Sequence, residues 1–248
     1  MNAFPVTGEV AQRADGGHMK KIGIIGGVGP EATIDYYRLI INYYREKVND
    51  GNYPEIIINS VNITGMINLI EKDDKAGLIS YLSDAVKSLA DAGADIALIA
   101  SNTPHLVFDE VAEISGIPLV SIVEETCTEA KRLGIKKAGL LGTAFTMNNR
   151  FYHKIFNKEN IEIVTPDEKS KLLIHSKIFG ELVSGIIKDD TRKRFIEIIN
   201  TMKSVDGIDA LILGCTEIPL ILQESDGGGI PFLNTTAIHA MAIVNRIV

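Results

Sequence analysis

Three stretches of this 248-residue sequence recur, in the same order, further along the chain. Residues 20–26 (KKIGIIG) are matched by 136–142 (KKAGLLG), 93–101 (GADIALIAS) by 207–215 (GIDALILGC), and Gly116-Ile117-Pro118 by Gly229-Ile230-Pro231. The offsets are 116, 114 and 113 residues. Three matches in register imply two similar units in one chain. Short apolar runs at 22–25, 56–58, 96–100, 119–120, 138–141, 161–164, 210–213 and 232–233 read as buried strands. Longer runs with helical spacing, such as 34–48, 78–92 and 191–205, lie between most of them, with Gly93 and Gly134 placed as helix C-caps. Alternation of this kind predicts an α/β fold: two pseudo-symmetric domains, each a mainly parallel sheet flanked by helices. The strand and helix after Ile230 follow a second unit that has already used its share of elements. They are expected to return to the first unit. The predicted domains are therefore 19–117 plus 229–248, and 118–228. Residues 1–18, which lack a basic start and an apolar central run, read as a leader or flexible extension outside the fold.

The net charge of −7 argues against a nucleic-acid surface. No uncharged apolar run is long enough to span a membrane. Cys127 and Cys215 are isolated, which suggests neither a disulfide framework nor a metal cluster, and a reducing cytoplasm is expected.

In open α/β sheets ligands sit at the carboxyl ends of strands. Three kinds of strand end stand out. Gly26-Gly27-Val28-Gly29-Pro30 resembles a dinucleotide turn. However, Pro30 lacks an N–H for phosphate, and the next strand ends Asn59-Ser60-Val61-Asn62 without an acidic residue for a ribose. Backbone N–H groups at Gly27, Val28 and Gly29 suit a small carboxylate better. Ser101-Asn102-Thr103 and Cys215-Thr216-Glu217 occupy equivalent ends of the two units. If the units face each other, Ser101 and Cys215 approach one carbon from opposite sides, as inversion by proton exchange requires. Gly142-Thr143-Ala144-Phe145-Thr146 repeats the position of the glycine turn, and its hydroxyls suit either an anion or plain N-capping. Cys127 reads as core packing. Of His105, His175 and His239, His105 shares the Ser101 loop and is the candidate proton-transfer helper.

At these residues the chain resembles the aspartate/glutamate racemase family, over essentially all of 19–248. The signatures are the Gly26–Pro30 turn with Glu31-Ala32-Thr33, the Asn102-Thr103 pair, the run 213–217, and Ile230-Pro231 leading to Thr235-Thr236 and Ile238-His239-Ala240. The resemblance implies a small amino-acid substrate, no pyridoxal phosphate, no metal and a homodimer. It also implies an active site between the domains, with Asn102, Thr103, Thr143, Thr146 and Thr216 on the substrate's α-carboxylate and amino group. Three positions depart from the pattern. Ser101 stands where family racemases carry a first cysteine. Ile67 and Val183 stand near the arginine and lysine that aspartate racemases use on the distal carboxylate. Asn234 replaces an aspartate.

The expected chemistry is proton exchange at an α-carbon. A free thiol has a pKa near 8.5, which a helix N-terminus lowers, so Cys215 is expected to serve one face as a reactive thiolate. Ser101 has no comparable basicity without a partner. A single-cysteine decarboxylase of the same superfamily and a non-catalytic amino-acid binder are the alternatives.

Overall fold

The computed structural model describes residues 19–248, so the expectation for residues 1–18 lies outside the described residues. The first unit contains β1 (Ile22–Gly26), α1 (Pro30–Val48), β2 (Ile56–Ser60), α2 (Ile63–Glu71), α3 (Lys75–Asp91), β3 (Ile96–Ile99), α4 (Phe108–Ile114) and β4 (Leu119–Val120). There follow α5 (Ile122–Arg132), β5 (Lys137–Gly142), α6 (Ala144–Asn148), α7 (Phe151–Phe156), β6 (Glu162–Val164), α8 (Glu168–Gly180), α9 (Asp189–Thr201), β7 (Ala210–Gly214), β8 (Phe232–Asn234) and α10 (Thr235–Asn245). All eight expected strands form, their ends shifted by a residue or two.

Every strand pair is parallel. The two sheets have equivalent orders, β2-β1-β3-β4 and β6-β5-β7-β8. The repeat extends to side chains. Lys21 pairs with Glu55 at 2.9 Å, and its counterpart Lys137 pairs with Glu162 at 2.8 Å. Asp95 accepts from the Lys21 N–H as Asp209 accepts from the Lys136 and Lys137 N–H groups. The central strands are apolar along their length because helices cover both faces. Alternate residues go to opposite cores, as the strand period of two requires. Ile22, Ile24, Ile96 and Leu98 face α1, while Ile25, Ala97 and Ile99 face α3.

Two strands sit opposite to the expected boundaries. Leu119–Val120 pairs with β3 in the first sheet. Phe232–Asn234 pairs with β7 in the second, in the register Leu211 to Phe232. Neighbours in sequence tend to be neighbours in a sheet, and Phe232 and Leu233 fill the second unit's cores. The helices after these strands then cross over. α5 packs Ile122, Val123, Cys127 and Ala130 onto the second sheet. α10 packs Ala240, Ala242, Ile243 and Val244 onto the first, against Tyr36, Ile40 and Tyr44 of α1. The crossing helices touch each other, and Arg246 pairs with Glu125 between them. Among the described residues no helix is long and apolar enough to cross a membrane.

Candidate active site

A cavity of about 180 Å3 opens between the carboxyl ends of the four central strands. Val28 and Gly29 reach it from the end of β1, Ser101, Asn102 and Thr103 from β3, Thr143 and Phe145 from β5, and Gly214, Cys215, Thr216 and Glu217 from β7. The opposite wall is apolar. It consists of Ile63, Met66, Ile67 and Ile70 on α2, with Ile178 and Phe179 on α8 and Val183 just beyond.

Ser101 and Cys215, whose equivalence came from the repeat alone, thus line one cavity. So do six of the eight residues expected to bind substrate: Val28, Gly29, Asn102, Thr103, Thr143 and Thr216. Gly27 and Thr146 do not. The Gly27 N–H is taken by Thr33 Oγ1 at 2.9 Å. At φ 78°, any side chain at Gly27 would meet the Val61 carbonyl, so this glycine serves the turn. Thr146 is fully buried. Its N–H is capped by Thr143 Oγ1 at 3.3 Å, and its hydroxyl lies 3.3 Å from the hydroxyls of Thr143 and Thr103. It therefore joins the two units beneath the cavity floor. Thr143 caps α6 and also lines the cavity.

Asn102 has its carboxamide committed on both sides. Its Oδ1 accepts from the Tyr152 hydroxyl at 2.6 Å, and its Nδ2 donates to Thr235 Oγ1 at 3.1 Å, which in turn donates to the Leu213 carbonyl. Its side chain ties β3 to α7 and α10 while its loop edges the cavity.

His105 does not act as a helper in this arrangement. It lies outside the cavity, 4% exposed and stacked on Phe108 at 4.9 Å. Its Nδ1 faces the Ser101 carbonyl at 2.9 Å, and its Nε2 accepts from the Ile122 N–H at 3.1 Å. A carbonyl can only accept and an N–H only donate, so the ring is neutral with its proton on Nδ1. Burial, with His239 nearby, pushes its pKa down to about 3. Its work is to hold the Ser101 backbone. His239 is fixed in the same way: Nε2–H donates to the Val120 carbonyl at 2.9 Å, Nδ1 accepts from Tyr36 at 2.8 Å, and burial lowers its pKa to about 4. His175 accepts from the Ala144 N–H at 3.2 Å beside Phe145 and Phe179, also outside the cavity lining.

The thiol environment also differs from expectation. A short 3-10 turn, Ile218–Leu220, follows the Cys215 loop in place of a helix, so no macrodipole points at the sulfur. Cys215 donates instead to Glu217 Oε2 at 2.9 Å, and Thr216 Oγ1 donates to the same oxygen at 2.7 Å. Burial first, and the Glu217 carboxylate second, push the Cys215 thiol well above its ordinary pKa. Its resting form is a protonated thiol held against a carboxylate. The role of Glu217, 8% exposed, does not follow from the 213–217 motif alone. The signal available was an acid two residues beyond the cysteine where the other unit has Thr103. Its second oxygen reaches the first unit: Oε1 lies 3.2 Å from where a Cβ of Gly29 would sit. The glycine turn expected to meet a substrate carboxylate thus abuts a protein carboxylate. Cys127 is buried in the second core, where burial pushes its thiol up to about 11. Among the described residues no group of three or more His, Cys, Asp or Glu is arranged to hold a metal ion.

Two parallel sheets thus face each other across a cleft that carries a thiol and a hydroxyl at equivalent strand ends. The sequence matches the Asp/Glu/Hydantoin racemase family over residues 25–243, and the chain belongs to that family. It is 26% identical over 230 residues to the broad specificity amino-acid racemase RacX of Bacillus subtilis (strain 168), covering 90% of this chain and 96% of that one. It is 38% identical to an aspartate racemase homologue of known structure from Pyrococcus horikoshii OT3, with a TM-score of 0.79 over 92% of this chain and 98% of the other. The aspartate racemase of Picrophilus torridus, 24% identical with a TM-score of 0.74, covers 92% of this chain and 94% of its own and shares the fold.

Proposed function

We propose that this chain exchanges the α-proton of an amino acid without pyridoxal phosphate or a metal, using Cys215 on one face of the α-carbon and Ser101 on the other. The observation that carries the reading is that Ser101 and Cys215, at equivalent ends of β3 and β7, line one cavity. Glu217 takes the thiol proton from Cys215. The thiolate so formed removes the α-hydrogen, leaving a carbanion beside the substrate carboxylate. Return of a proton from Cys215 gives exchange with retention, and delivery from the Ser101 side gives inversion. Hydroxyls of Thr103 and Thr143 supply donors for the substrate's head group, and Thr216, its proton given to Glu217, offers an acceptor. Among the described residues no acid or imidazole contacts the Ser101 hydroxyl, so exchange on the Cys215 face should outrun inversion. Family resemblance supports a homodimer as part of this reading, and two free cysteines accord with a reducing cytoplasm.

Exchange of the α-proton with solvent deuterium, followed by NMR for both enantiomers of the common amino acids, tests the proposal. One enantiomer should exchange rapidly and its mirror image slowly, with Cys215→Ser abolishing both. Carbon dioxide release from a malonate-like diacid without amino-acid exchange would favour the single-cysteine decarboxylase. Binding without exchange at any pH would leave only a binder.

A further inference from the structure

We infer that the amino acid accepted here carries an uncharged, apolar side chain of medium size, the class of leucine, isoleucine, valine and methionine. This rests on the exchange reading above and adds the identity of the side chain. The cavity is divided by polarity. Its donors and the thiol lie at the strand ends, and the facing wall is built from Met66, Ile67, Ile70, Ile178, Phe179 and Val183. A ligand that fills it has a polar head and an apolar tail pointing at α2 and α8.

The charge distribution excludes a second carboxylate. Among the described residues no lysine, arginine or histidine lines the cavity, and the one acidic residue that does is Glu217, which accepts from Cys215 and Thr216. On the α8 side of the wall Lys177 and Lys188 are engaged, bonding Glu181 at 2.6 and 3.1 Å, and Lys72, two residues beyond Ile70, is exposed and outside the cavity lining. The distal carboxylate of aspartate or glutamate would be set against isoleucines and a phenylalanine with no cation to meet it, which burial penalises heavily. An apolar tail instead removes exposed hydrocarbon from water: Phe179 is 42% and Val183 43% exposed. Size agrees. The cavity of about 180 Å3 is slightly larger than the roughly 150 Å3 apolar cavity that takes up benzene, which suits a short aliphatic chain better than an indole.

Calorimetric titration of the intact protein with each amino acid, alongside deuterium exchange, tests this. Leucine or methionine should bind at least tenfold more tightly than aspartate or glutamate and exchange at least tenfold faster. Ile67→Arg should reverse the order by supplying a cation. A second variant, Val183→Lys, does so from the other wall if the first does not fold. Aspartate binding as tightly as leucine would overturn the inference even with exchange intact. Absence of all exchange with leucine still bound preferentially would overturn the exchange reading and leave this one standing.

Discussion

At the scale of single residues, the asymmetry of the site lies in Ser101 and Glu217. Replacing Ser101 by cysteine puts an ionisable thiol where a non-basic hydroxyl stands. Inversion should rise at least tenfold, a floor set by the roughly 10²–10⁴ that a positioned acid or base contributes. Chiral chromatography of product over time measures it, and no change would remove Ser101 from the chemistry. Should a ligand-bound crystal structure be obtained, Ser101 Oγ and Cys215 Sγ should flank the α-carbon at roughly 6–8 Å from each other, since each must come within about 3–3.5 Å of it. Glu217→Gln bears on the thiol. The Cys215 pKa is raised by burial and then by the Glu217 carboxylate, so thiolate is scarce at neutral pH. Removing the carboxylate should lower the pH at which Cys215 is alkylated, though not to the ordinary thiol value, because burial remains. Iodoacetamide labelling against pH with peptide mapping reads this out, and an unchanged or raised midpoint would contradict the pairing. Ser101 and Cys215 were legible because the repeat put them at equivalent places. The thiol's environment was not. It depends on a 3-10 turn where a helix was expected and on an acid whose orientation no spacing reveals.

The elements show a different balance. The strands were legible because central parallel strands are continuous apolar runs, and Gly93 and Gly134, both at positive φ, mark helix ends. α8 was harder to read, since its apolar residues serve two masters. Ile174 and Ile178 enter the second core, while Phe179 turns to the cleft, so no single stripe emerges. The segment beyond α8 is pinned by Glu181, which accepts from Lys177 and Lys188 and, at 2.5 Å, from Thr191. These partners, Lys177 first, hold the carboxyl at about 2 against an ordinary 4.5. A lowered carboxylate pKa stabilises the fold above the unfolded value, and that contribution disappears as pH falls through the folded one. Glu181→Gln should therefore lower the urea midpoint at pH 7. The gap to the parent protein should shrink from about pH 4.5 downward and be nearly closed at about pH 2. A gap independent of pH would mean that the charge plays no part.

For the molecule as a whole, the crossed helices decide cooperativity. α5 closes the second core and α10 the first, although each follows a strand of the other sheet. The expected boundaries already assigned α5 to the second unit and α10 to the first; the repeat did not disclose that the strand before each helix stays in the other sheet. Thermal unfolding should be a single transition with equal calorimetric and van't Hoff enthalpies. Ile243→Ala on α10, fully buried among first-sheet residues, should cost about 2–5 kcal/mol and lower that one transition without splitting it. Two resolved transitions would show that the units are independent.

The same crossing sets an order of assembly on the ribosome. A chain emerging at about 5–20 residues per second folds its amino-terminal parts first where it can. Here all four strands of the first sheet are out once Val120 has emerged, yet the helix that seals one of its faces begins only at Thr235. For the intervening hundred or so residues, several seconds at that pace, Ile22, Ile24 and Leu98 lack part of their cover. The nascent chain is thus obliged to present a sticky half-finished sheet to whatever chaperone waits at the exit tunnel.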